Sequence, residues 1–465
     1  MTLNPEFRRN LWLELTPHRL IAMPVILFAI FVLSALIEET DETWGLKSAS
    51  ISAFYAIVYL WGTRRAAASL ADEVSGRTWD SQRMSVLGAW TMTWGKFLGG
   101  TAFIWYGGLI ALIAFVYAES VDTGLATALR LAAAALLTGL LGQVVAFATA
   151  LVILYKMRPT PRLPVVLCQI FGLSAAAMFE FHVPEASWNF VDTADQVLWY
   201  GRPFAITDFK LIGGALFLAW AIVAAYRLMR VELQHRALPW AWVCFALFLM
   251  AYGAGFAYGE VGQARDAGAA LWWLAPSFLV AVVMVYGALF AQPKDVVVQR
   301  AFLRAVAASD WPRAGFLTPL WLPSLAIMLG VGAALMTQIP GERLYGGEVW
   351  IGGGSAYSPY VVLAAMVFVL RDMGLVMLLN LGARRRRADL VGLVYLVLLY
   401  LVFAMLVHAL EWDRALPFFV PTPKVTPLWT VGPVLAEALL VHGVLIWRWR
   451  RLGAAAAPTL HDASF

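Results

Sequence analysis

The feature that constrains this chain most is the return, along its whole length, of apolar runs about as long as a bilayer is thick. A spanning helix needs roughly 20 mostly apolar residues, and such runs fall near 20–37, 50–64, 97–117, 127–154, 163–180 and 211–228. Six more lie near 239–258, 269–291, 315–336, 358–381, 390–409 and 429–447. With 61% hydrophobic and 14% charged residues and a mean hydropathy of +0.73, the chain lies far outside the balance of a soluble domain. The expected class is an all-α polytopic membrane protein of about twelve transmembrane helices. The 21 Trp and 15 Tyr residues suit side chains with an apolar body in lipid and a polar tip at the headgroups.

Charge sets the expected orientation. If the N-terminus is cytoplasmic, the inner segments 1–19, 64–96, 156–162, 227–236, 294–313, 384–387 and 448–451 carry 25 of the 34 Lys and Arg residues. The outer segments carry eight, and Arg371 falls inside a run. That asymmetry predicts both termini inside, by the positive-inside rule, and the acidic stretch Glu38-Glu39-Thr40-Asp41-Glu42 fits an outer loop. Arg8, Arg9 and Arg19 precede the first run as in a secretory signal, but no small-x-small cleavage site follows, so the run is expected to be retained. The net charge of +5 thus reflects topology and anionic lipid. A nucleic-acid surface is not expected, because no basic cluster accompanies a soluble domain.

Absent patterns exclude most catalytic classes. No G-x-x-x-x-G-K-[ST] stretch occurs, so the chain has no phosphate-cradling loop and any ATP and magnesium must sit on a partner. There is no zinc-type Cys/His cluster, nucleophile elbow or dinucleotide fingerprint. The six His residues, at 18, 182, 235, 408, 442 and 461, are scattered. Cys168 and Cys244 lie inside apolar runs and read as small buried hydrophobes, with no disulfide implied. No catalytic residue, metal or cofactor is expected on this chain.

Residues 64–96 form a connection much longer than packed helices usually need. Asp72, Glu73 and a break at Gly76 are followed by Thr78-Trp79-Asp80, then apolar Met84, Val86 and Leu87, and Trp94-Gly95-Lys96 enters the next run. The pattern predicts two helix continuations bracketing a short cross-helix whose apolar face is Trp79, Met84 and Leu87. Upstream, Phe7, Leu11, Trp12 and Leu15 recur opposite Arg8, Arg9 and Glu14, as in a helix lying on a membrane surface.

These residues resemble the type-2 ABC exporter permease family. The matching positions are Glu73, Gly76, Thr78, Trp79, Gly95 and Lys96, with departures at Arg77, inserted between Gly and Thr, and at Trp79-Asp80. The resemblance implies a coupling helix in 64–96 that docks on an ABC ATPase subunit, with Glu73 and Lys96 fixing partly solvated helix ends. It also implies an elbow helix in 1–19, short re-entrant helices in 181–209 around Trp188, Trp199 and Tyr200, and a six-span permease unit over 20–235. A bacterial cytoplasmic membrane is the implied location, and a second permease or a second copy a possible further partner.

Residues 236–465 read as a second six-span unit, either a degenerate repeat or a domain of other ancestry. Its loop 293–314 lacks the acidic, Gly-Thr and Gly-Lys pattern, although Phe302 and Leu303 lie beside Arg300 and Arg304 in a plausible helix. Arg371 and Asp372 interrupt an apolar run, which marks a possible intramembrane polar site. Neighbours on a helix project about 100° apart, so each is expected to need its own partner. They could line a polar lumen, pair with Glu437 or His442, or lie on an interfacial segment after a span at 350–370. Besides the exporter subunit, an ion-coupled secondary transporter and a membrane enzyme or assembly component remain open; no substrate is legible.

Overall fold

The computed structural model describes residues 4–37, 42–156, 164–182, 196–235, 237–258, 269–339, 349–351, 355–381, 388–422 and 426–454. The protein is a helical, multi-pass membrane protein: among the described residues ten helices are long and apolar enough to cross a membrane. It divides into two compact units, residues 1–198 with 202–237 and residues 199–201 with 238–465.

The first unit opens with α1 (Pro5–Glu14), started by Asn4, whose side chain accepts from the amides of Glu6 and Phe7, and by Pro5 in the first turn. Then come α2 (Pro17–Ile37), α3 (Glu42–Phe54), α4 (Gly62–Ser75), the short α5 (Trp79–Arg83), α6 (Ala89–Gly100), α7 (Ala102–Thr123) and α8 (Leu125–Lys156). After them follow α9 (Val165–Ala177), strands β1 (Gln196–Trp199) and β2 (Arg202–Ala205), and α10 (Ile206–Glu232). A π-helical segment, Tyr55–Trp61, joins α3 to α4 without a break, so the second run extends well beyond the 50–64 read from hydropathy. Another, Met178–His182, continues α9. The core of this unit gathers Leu70, Met92, Phe97, Phe147, Leu151 and Met229 from α4, α6, α8 and α10.

Two expectations are corrected here. Residues 196–205 are strands and a turn rather than re-entrant helices, and Trp188 lies outside the described residues. Helix α1 does not simply lay an apolar face on lipid. It packs on α6 and buries Glu6 and Glu14, because charges across the interface want those carboxylates.

The second unit comprises α11 (Trp240–Tyr258), α12 (Ala269–Ala291), α13 (Val296–Ala307), α14 (Trp311–Leu317), α15 (Trp321–Gln338), β3 (Val349–Ile351), β4 (Ser355–Tyr357) and α16 (Pro359–Asn380). It ends with α17 (Ala388–Val397), a π-helical segment Leu398–Phe403, α18 (Ala404–Ala409) and α19 (Pro427–Ala454). The loop 293–314 does form helices: Asp295 caps α13 and Asp310 caps α14. Ser358 caps α16, which runs on past Arg371, so the span ending at 370 is ruled out. Two further expectations meet the structure here. Cys168 is buried as expected, but Cys244 is exposed on α11, so it is not the small buried hydrophobe expected there. The stretches 38–41 and 384–387 and His461 lie outside the described residues.

Candidate functional site

The turn after α4 is built on Glu73. The amide of Thr78 donates to the Glu73 carbonyl at 3.0 Å and its hydroxyl does so at 3.2 Å. Between them Arg77, the residue inserted relative to the family pattern, takes the left-handed conformation at φ 56°. Gly76 itself does not, but a Cβ there would meet the Asp72 carbonyl at 3.1 Å. The turn reverses the chain into α5 within three residues.

The Glu73 carboxylate then holds the elements together. It accepts from Lys96 of α6, from Arg9 of α1 and from Gln82 Nε2 of α5. Lys96 is 1% exposed and spends its three N–H donors on Glu73, on Glu6 at 2.9 Å and on Gln82. A second network lies alongside, in which Glu14 of α1 binds Arg19 and Arg65, and Arg65 also binds Asp72 at 2.8 Å. Gly95 and Gly99 let α1 approach: a Cβ at either would meet Glu6 or Asn10 at 2.6 Å. The Gly-Lys pair is therefore one device. The glycine brings α1 in, and the lysine neutralises what α1 buries.

The predicted apolar face of the cross-helix is not one surface. Trp79 is 4% exposed, packs in the core with Leu70 and Met229, and donates its indole N–H to Glu232 of α10 at 3.1 Å. Leu87 packs against the same core. Met84 points the other way at 88% exposed, with Val86 beside it. The reason is local: α5 ends at Arg83, so helical spacing does not carry from 79 to 84 and 87. Trp79 is thus an internal anchor rather than a docking residue, and Lys96 is buried rather than partly solvated.

The intramembrane pair in the second unit also departs from expectation. Arg371 donates through Nε at 2.9 Å and Nη2 at 2.8 Å to Oδ1 of its neighbour Asp372. The 100° offset does not keep the long guanidinium arm from reaching its neighbour. Arg371 Nη1 reaches Glu437 at 2.7 Å and the Phe418 carbonyl at 3.2 Å, and Nη2 also reaches the Tyr400 hydroxyl at 3.2 Å. Tyr286 donates to Asp372 Oδ2 at 2.6 Å, and Tyr400 does so as well. The guanidinium sits 4.6 Å over the Phe368 ring. Pairing with Glu437 is what the structure shows. His442 instead contacts its own helix at the Ala438 carbonyl. With Asp372 0% and Arg371 4% exposed, and every Arg371 donor used, the pair lines no lumen.

Sequence reasoning missed Glu6, Gln82, Glu232, Tyr286 and Tyr400. Each belongs to an element that looked complete by itself, and only the fold makes it a partner. A signal existed for Glu6 alone, in that an acid two residues after a capping Asn sits in the first turn, where the dipole favours it. Among the described residues, no group of three or more His, Cys, Asp or Glu side chains could hold a metal ion. No family model, curated protein or solved structure matches the chain.

Proposed function

We propose that this chain is the membrane-spanning permease subunit of an ATP-driven, ABC-type exporter in a bacterial cytoplasmic membrane. It would use about twelve spans with both termini inside, and work with a separate ATPase subunit that carries ATP and magnesium. The observation that supports this most is the clamped short helix. Helix α5 is fastened by Trp79 and Glu232 to α10, and by Gln82 to the Glu73–Lys96 pair that joins α1, α4 and α6. A push on α5 would therefore be passed to four long elements at once. The exposed Met84 and Val86 offer the partner an apolar hold just beyond it. The ion-coupled alternative has less support, since Asp372, the buried carboxylate such a carrier would titrate, is committed to Arg371 and two tyrosines.

The test is a Met84→Asp/Val86→Asp double variant of the full chain, purified in mild detergent. Wild type should bring down a chain with a phosphate-binding loop and ATPase activity. Charge placed in an apolar interface should cost at least about 2 kcal/mol, roughly 30-fold in affinity, so the variant should lose both the ATPase and ATP-driven transport while keeping its melting profile. Normal ATPase retention and transport in the variant would refute the coupling role of this surface.

A further inference from the structure

The second unit contains a cavity of about 210 Å³ lined by Lys294, Gln299 and Asn380 and, on its apolar wall, Leu381, Leu445 and Trp449, with Arg450 at its edge. It lies where α16 and α19 end and α13 begins, beside the basic stretch Arg448–Arg451. A single bridging water needs only about 10–15 Å³ and several polar partners, so a largely apolar wall of this size does not suit water. The walls are those of an amphiphile site.

Its charge points the same way. Lys294 is matched by Asp389 at 2.6 Å, and Asn380 donates to the same carboxylate oxygen at 2.9 Å, so that pair is close to neutral. Arg450 is exposed on α19 and makes no ion pair among the described residues. Arg300 stacks its guanidinium on the outer wall residue Trp449 at 5.3 Å, and its buried Nη2 has no hydrogen-bond partner among the described residues. Arg300 itself lies outside the lining, so it adds positive charge behind the wall, and Arg450 is the lining cation left to meet an anionic oxygen.

We propose that this cavity is a binding site for an anionic phospholipid, with the phosphate held by Arg450 and the start of an acyl chain on Leu381, Leu445 and Trp449. Basic pockets between spanning helices are a recurrent solution for such headgroups. The site is independent of whether the chain couples to an ATPase.

The experiment is native mass spectrometry of the full chain released from nanodiscs of equimolar phosphatidylglycerol and phosphatidylcholine. Wild type should retain phosphatidylglycerol at least about tenfold over phosphatidylcholine, equivalent to about 1.4 kcal/mol. Arg450→Gln should abolish that preference, and so should Leu445→Trp, which fills the cavity without touching charge. Arg451→Gln should preserve it, because Arg451 lies over Trp447 at 4.0 Å and not in the cavity. Adding 10-fold excess inorganic phosphate separates a free anion from a lipid: it should leave the lipid adduct intact. Equal retention of the two lipids by wild type, unchanged preference in both Arg450→Gln and Leu445→Trp, or displacement by inorganic phosphate would overturn the proposal. If Arg450→Gln fails to fold, Leu445→Trp decides alone.

Discussion

At the scale of single residues, the two lysine and arginine centres are the places where one atom matters most. Lys96 is enclosed by Glu6 and Glu73, so Lys96→Met leaves two buried carboxylates facing each other with only the more exposed Arg9 between them. Removing one partner of a buried pair costs about 3–5 kcal/mol, whereas replacing the whole set is far milder. Lys96→Met should therefore lower the thermal midpoint in detergent sharply, and adding Glu6→Gln and Glu73→Gln should recover much of it. An uncorrected loss in the triple variant would show that the lysine stem, not its charge, is what matters. The same logic applies to Arg371→Met, which strands Asp372; Arg371→Met/Asp372→Asn should unfold later than the single change. Sequence marked Glu73, Lys96, Arg371 and Asp372 as chemically unusual because charge stands out against apolar surroundings. It could not show that Lys96 is fully enclosed, because its partners lie 90 and 23 residues away, nor that two tyrosines complete the Asp372 shell.

At the scale of elements, long apolar helices were legible and short polar ones less so. Every run read from hydropathy falls on a helix, because a period of about 20 apolar residues has one physical solution in lipid. The cross-helix was legible in position but not in face, since α5 stops after five residues and periodicity needs length to be informative. The packing of α1 on α6 was invisible, because Gly95 and Gly99 look like ordinary small residues until a helix lies on them. Gly95→Val should force α1 away from α6 at a cost of about 1–3 kcal/mol, seen as faster trypsin cleavage after Arg8 and Arg9. Gly443→Val, at a position open to surroundings, should leave both stability and cleavage unchanged. Equal effects of the two substitutions would remove the close-approach role of Gly95.

For the whole molecule, the proposed orientation and energy source are each open to a direct measurement. In a background with Cys168→Ala and Cys244→Ala, a cysteine replacing exposed Met84 should resist a membrane-impermeant thiol reagent in intact cells and react in inverted vesicles. A cysteine replacing Leu125, beside the α7–α8 turn at Gly124, should behave in the opposite way. Reversed labelling would turn the chain over and with it place α5 out of reach of any cytoplasmic ATPase. The purified chain alone should hydrolyse no ATP, because it has no phosphate loop; turnover that survives stringent purification would contradict a partner-driven mechanism. Orientation leaves no mark on helix packing, which is why it rests on the charge asymmetry of the sequence, whereas the proposed partner rests on the loop pattern together with the clamped α5.

The Arg371 centre also has a history in time. Its carboxylate partner Asp372 is its neighbour in the chain, and Tyr286 precedes it, but Tyr400 and Glu437 come 29 and 66 residues later. At synthesis rates of about 5–20 residues per second, Glu437 emerges roughly 3–13 seconds after Arg371. If α16 inserts during that interval, it carries an arginine that, alone, costs about 2.5–3.5 kcal/mol to insert at a helix centre. The adjacent aspartate travels with it as a built-in counterion, so the nascent helix can enter lipid before its final partner exists.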